Sequence, residues 1–132
     1  MTQNTPPAYV APQPLSQSDE RLWATLIHVG GIIIGFISPL IGYLVLKDRS
    51  SFVREHSRTA LNFQITMAIA HVANFILGLI LGVVTFGVWF FVQTLITLAI
   101  WVVTIIFSII AAIAANKGEL YRYPLSINFI KQ

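Results

Sequence analysis

Ser51-Phe52-Val53-Arg54-Glu55-His56-Ser57-Arg58-Thr59-Ala60-Leu61-Asn62-Phe63-Gln64 carries Arg54, Glu55 and Arg58 in its first eight residues and no charge after them. No turn residue separates the two parts, so the stretch reads as one helix that starts in water and ends in lipid. From Thr59 to Asn116 there is no Asp, Glu, Lys or Arg. That run is nearly three times the length of about 20 residues that one membrane-spanning helix needs. Two spans therefore follow from this stretch, and a third candidate precedes it.

The composition agrees. Of 132 residues, 56% are apolar and 10% charged, where soluble domains average about a quarter charged, and the mean hydropathy is +0.78. A soluble all-helical core of this size would need a shell of polar helices that the remaining residues do not supply. The net charge of +3 comes from basic residues placed beside the apolar spans. That placement suits anionic lipid headgroups and gives no basic face for nucleic acid. With no cysteine, there is neither a disulfide frame nor a thiolate site.

Working outward, residues 1–18 hold Pro6, Pro7, Pro12 and Pro14 among small polar residues and no Lys or Arg, which predicts a disordered tail. A secretory signal is not expected, because the positively charged start is missing. Ser18, Asp19 and Glu20 suit a helix N-terminus. The mostly apolar stretch 22–46 is long enough to span, but Gly30, Gly31, Gly35 and Pro39 make it irregular. Two readings stand: a spanning helix kinked near 36–38, or a re-entrant hairpin covered by its neighbours. After 47–50, residues 50–58 form an interfacial start, 59–82 a second span, 82–87 a turn and 88–116 a third span. Residues 118–132 return to the interface. The expected fold is all-α, with three spanning helices and a kinked first span.

Under three spans, Lys47, Arg49, Arg54, Arg58, Lys117, Arg122 and Lys131 share one side and Arg21 lies alone on the other. The positive-inside rule then puts the loop 47–58 and the C-terminus in the cytoplasm and the N-terminal tail outside. The hairpin reading instead gathers all the cationic residues inside.

No phosphate loop, nucleophile elbow or metal-binding His pair with helical spacing occurs, and the five acids lie near interfaces. Neither an enzyme nor a cofactor or metal is expected. The embedded polar groups His28, Asn62, Gln64, Thr66, His71, Asn74 and Gln93 need partners inside the bundle. On the second helix His56, Ala60, Phe63, Met67, His71, Asn74, Gly78 and Gly82 recur at three or four residues, a face that should point at the other helices. If the first and second helices run antiparallel, His28 comes near His71 and Asn74. Such a pair suits structural hydrogen bonding better than a metal site, with a proton-sensitive switch as a minor alternative. Glu55 and Asn62 are expected to latch the interfacial turn to the bundle. Gly118 reads as the glycine cap that closes the third span, and Glu119, Tyr121, Arg122, Tyr123 and Pro124 as an interfacial clasp, with Arg122 near Glu55 or Glu119. Residues 125–130 alternate apolar and polar, as an edge strand or a membrane-surface segment does. The patterns Gly31-xxx-Gly35, Gly78-xxx-Gly82 and Ala111-xxx-Ala115 let backbones approach closely, which suggests a homo-oligomer or assembly with another membrane protein.

Several blocks together resemble a known group: Leu26-Ile27-His28, Pro39-Leu40-Ile41, Lys47 through His56, Ala60 through Gln64, and Lys117-Gly118-Glu119-Leu120-Tyr121-Arg122-Tyr123-Pro124-Leu125. They resemble small bacterial integral membrane proteins of a domain-of-unknown-function family, itself similar to the Tic channel subunit of the chloroplast inner-envelope importer. The resemblance implies an inner (cell) membrane location and contact with a polypeptide substrate. The expected function is a non-enzymatic, translocon-like or export accessory component. A small channel or transporter subunit and a bacteriocin-immunity or stress protein are the alternatives.

Overall fold

The computed structural model describes residues 12–131; the first eleven residues of the expected tail lie outside the described part. Four helices follow one another: α1 (Gln17–Ile34), α2 (Ile37–Leu46), α3 (Ser51–Val84) and α4 (Trp89–Asn116). The protein is all-helical, without strands among the described residues.

Local chemistry sets the boundaries. The Ser16 hydroxyl caps α1 by accepting from the Asp19 amide, and Asp19 and Glu20 occupy the first turn, where the helix dipole favours acids. Ser50 caps α3 by accepting from the Val53 amide. Between α3 and α4 the chain turns through Phe86 and Gly87, both at positive φ. After α4, Gly118 adopts φ 79° and the Glu119 amide donates to Ala114 O, the bonding that closes a helix end on a left-handed residue.

The single kinked first span is not what forms. At Gly35 the backbone turns to φ 63°, ψ −137°, which ends α1, and α2 folds back along it. Ser38 Oγ donates to Ile27 O at 2.9 Å, and Gly42 leaves room for the Ile27 side chain. At the open end, the Leu15 amide donates to Arg49 O and the Arg49 guanidinium to Gln13 O. There too the Ser50 hydroxyl donates to a Glu20 carboxylate oxygen at 2.8 Å. The start of α1 and the 47–50 loop thus share one end of the molecule, contrary to a tail placed opposite that loop. Glycine and proline near 35–39 signal a break, and tertiary contacts decide that the break is a reversal.

α1 consequently runs parallel to α3 and antiparallel to α4. Gly31 meets Gln64, and Thr25 lies beside Ala112. The hairpin turn sits level with His71 and Trp101, about halfway along α3. Below that level four helices pack around Ile27, Leu46, Val53, Ala60, Phe63, Met67 and Ala111. Above it α3 and α4 continue as a two-helix prong. There Gly78 and Gly82 admit Gln93 and Phe90, and the Asn74 amide donates to Thr97 Oγ1 at 2.9 Å. The prong is apolar all round, with Val72, Phe75, Leu79, Ile80 and Phe91 exposed and Phe86 98% exposed at its tip.

α3 and α4 are both long and apolar enough to cross a membrane, and only 22% of each apolar window is buried within the chain. A core helix of a soluble protein would have most of that surface covered.

Candidate functional site: a buried polar relay and the C-terminal clasp

Every charged residue of the chain lies at the four-helix end, where the segment after α4 wraps back over α3. Tyr123 is the plug. Only 5% exposed, its ring stacks on Phe63 at 4.2 Å between centroids and meets Tyr121 edge-on at 5.1 Å. Its phenol lies 2.6 Å from His28 Nδ1. His28 Nε2 is 2.8 Å from His56 Nδ1, and His56 Nε2 is 2.8 Å from Glu119 O. Both imidazoles are 1% exposed.

The last contact fixes the direction of the others. A carbonyl oxygen only accepts, so His56 Nε2 carries hydrogen and donates to Glu119 O. A neutral His56 then accepts at Nδ1, so His28 Nε2–H is the donor, and His28 Nδ1 accepts from the Tyr123 hydroxyl. Four groups from α1, α3 and the C-terminal segment thereby form one ordered chain with every imidazole nitrogen satisfied, as buried polar groups require. Burial pushes the Tyr123 phenol well above the usual tyrosine range, which keeps the hydroxyl able to donate.

His28 therefore pairs with His56 and not with His71. The expectation assumed α1 antiparallel to α3; in the hairpin the two run parallel, and His28 falls beside the first turns of α3. His71 instead packs against Trp101, 5.9 Å between ring centroids. Asn74 serves the α3–α4 contact, Gln64 is buried against Gly31, and Pro39 is buried in α2.

Asn62 holds the clasp. Its side-chain amide donates to Asn128 Oδ1 (3.0 Å) and Ile130 O (2.9 Å), and its Oδ1 accepts from the Ile130 amide (2.7 Å). Arg58 donates through Nη1 to the same two acceptors and forms a two-pronged ion pair with Glu55. The Ile127 amide donates to Thr66 Oγ1. Residues 125–130 are thus laid along α3 without pairing as an edge strand. Arg122 makes no ion pair with Glu55 or Glu119 among the described residues; Arg58 takes Glu55 because it lies one helical turn away. Arg54 and Pro124 face outward.

Gly118 does more than end α4. The Arg21 guanidinium lies directly over it, a cation placed at the carbonyl end of a helix. This contact puts Arg21 at the same end as the other cations and removes the seven-to-one division expected for three spans. The small-residue patterns are largely spent inside the chain: Gly31, Gly78, Gly82 and Ala111 all face neighbouring helices.

The arrangement binds chain segments to one another, and comparison with known proteins gives its wider setting. No curated protein and no solved structure matches the chain. The profile of the magnetosome magnetite crystal formation proteins (MamF/MmsF) matches residues 19–130, which takes in all four helices and the clasp. This overturns the resemblance to the Tic import component, and the translocon-like role that rested on it goes with it. What remains of that expectation is a small bacterial membrane family: the chain belongs to the magnetosome magnetite crystal formation protein family.

Proposed function

We propose that the protein is a non-enzymatic membrane component of magnetite crystal formation. In this reading α3 and α4 cross the membrane and α1–α2 re-enters from the cytoplasmic side. The observation that carries the reading is the family match over 19–130 on a chain whose two longest helices leave most of their apolar surface uncovered. The charge distribution supports the orientation. All eight Lys and Arg and all five Asp and Glu sit at the four-helix end, and under the positive-inside rule this supports a cytoplasmic side for that end.

The opposite end, 85–88, has no charged side chain with which to hold iron or a mineral face. The protein therefore acts on the crystal from within the membrane, by assembling with itself or with other membrane proteins, and not as a charged template on the mineral side. The test is deletion in a magnetite-forming cell, followed by electron microscopy of crystal size and complementation. The native chain should restore the crystals, and Phe86→Ala at the uncharged tip should restore them as well. Crystals unchanged by deletion would refute the role. Full function in a variant whose α3 and α4 no longer insert would refute the mode of action.

A further inference from the structure

A groove of about 680 Å³ lies between the first turns of α3 and the returning C-terminal segment. Its floor is Thr59, Asn62 and the Glu55–Arg58 pair; its rim is Tyr121, Arg122, Ser126 and Lys131. Glu55 and Arg58 are tied to each other, and Arg58 also to the clasp. Arg122 and Lys131, by contrast, are exposed and make no hydrogen bond or ion pair among the described residues. The groove thus presents two uncommitted cations and a phenol around a polar floor.

The segment that forms one wall has two faces. Asn128 turns inward to Asn62 and Arg58, while Leu125, Ile127 and Phe129 turn outward and are 71%, 53% and 47% exposed. Leu120, also on the groove wall, is 62% exposed. An apolar outer surface beside a cationic polar cleft, at the level where spanning helices leave the membrane, matches a phospholipid: acyl chains against the outer face, phosphate in the cleft.

We propose that this groove binds the phosphate headgroup of an anionic phospholipid, held by Arg122 and Lys131, with its chains lying on Leu125, Ile127 and Phe129. The site rests on the membrane placement above but not on any role in crystal growth. A free phosphate ion would satisfy the cations without explaining the apolar wall.

The full-length protein purified in detergent would be incubated with phosphatidylglycerol or phosphatidylcholine, and retained lipid counted by native mass spectrometry. One phosphatidylglycerol should be retained per chain in preference to phosphatidylcholine. The Arg122→Gln/Lys131→Gln variant should weaken retention on the order of thirtyfold, from two cations at the lipid surface. Arg54→Gln, at an exposed cation outside the groove, should change it little. Inorganic phosphate at millimolar concentration should not displace the lipid. Equal loss in Arg54→Gln would reduce the effect to general surface charge and overturn the site; so would retention of phosphatidylcholine equal to phosphatidylglycerol. Displacement by inorganic phosphate would overturn the lipid as its occupant.

Discussion

Tyr123→Phe tests the relay most directly, because it removes one oxygen and leaves the ring stack on Phe63 in place. In the native protein the hydroxyl donates to His28 Nδ1 at 2.6 Å in a site 1% exposed on the histidine side. Without it, an acceptor stays buried and unsatisfied, at a cost of about 1–3 kcal/mol. The middle of that range, about 2 kcal/mol, is the expected loss. His56→Ala breaks the other end of the chain of bonds. Since Tyr123 and His56 both act on His28, the double variant should be non-additive by about 0.5–3 kcal/mol. Unfolding titrations in mixed micelles, followed by circular dichroism, supply the four free energies. A Tyr123→Phe loss under about 0.5 kcal/mol, the range of an ordinary surface change, together with strict additivity, would refute the relay as a coupled unit.

Other consequences are open to simpler measurement. Asn62→Leu removes three hydrogen bonds to the C-terminal segment, about 0.5–1.5 kcal/mol each; it should expose 125–131 to proteolysis and fast hydrogen exchange while α1–α4 stay protected, and an unchanged digestion pattern would count against the clasp. A side chain at Gly42 would run into Ile27 and Ser57, so Gly42→Leu should cost about 1–3 kcal/mol from overpacking, read as a lowered unfolding midpoint. Because the chain has no cysteine, Ser16→Cys and Lys117→Cys should react with an impermeant maleimide from one side of the membrane and Phe86→Cys from the other; labelling of Ser16→Cys and Phe86→Cys from the same side would exclude the re-entrant hairpin. The raised Tyr123 phenol gives a pH dependence of known sign. Its unfolded form ionises near pH 10 while the buried form stays protonated, so its contribution is intact below about pH 10 and lost above it. Tyr123→Phe should flatten that alkaline decline.

The parts of this architecture that depend on neighbours in sequence were legible in the sequence. The loss of charge after Arg58, the turn near Gly87 and the glycine after α4 each act through a few consecutive residues. The hairpin was not decided by such signals, because Gly35 and Pro39 would serve a kink as well as a reversal. Choosing between them took contacts such as Ser38 with Ile27 and Leu15 with Arg49, which span the fold. The histidine partnership depended on that choice, since reversing the direction of α1 against α3 exchanges His71 for His56. Asn62 was expected to tie the interfacial turn to the bundle; the segment it bonds instead lies more than sixty residues later and has no local signature.

The halfway reach of the α1–α2 hairpin gives the molecule a taper. In the proposed orientation, the cytoplasmic leaflet must make room for four helices and the clasp, the far leaflet for two helices alone. Around a small spherical vesicle the outer leaflet has more area per unit of enclosed surface than the inner one, and a wedge with its broad end outward fills that difference. Many copies would therefore sit with less strain in a tightly rounded bilayer than in a flat one, and their crowding would favour the rounding itself.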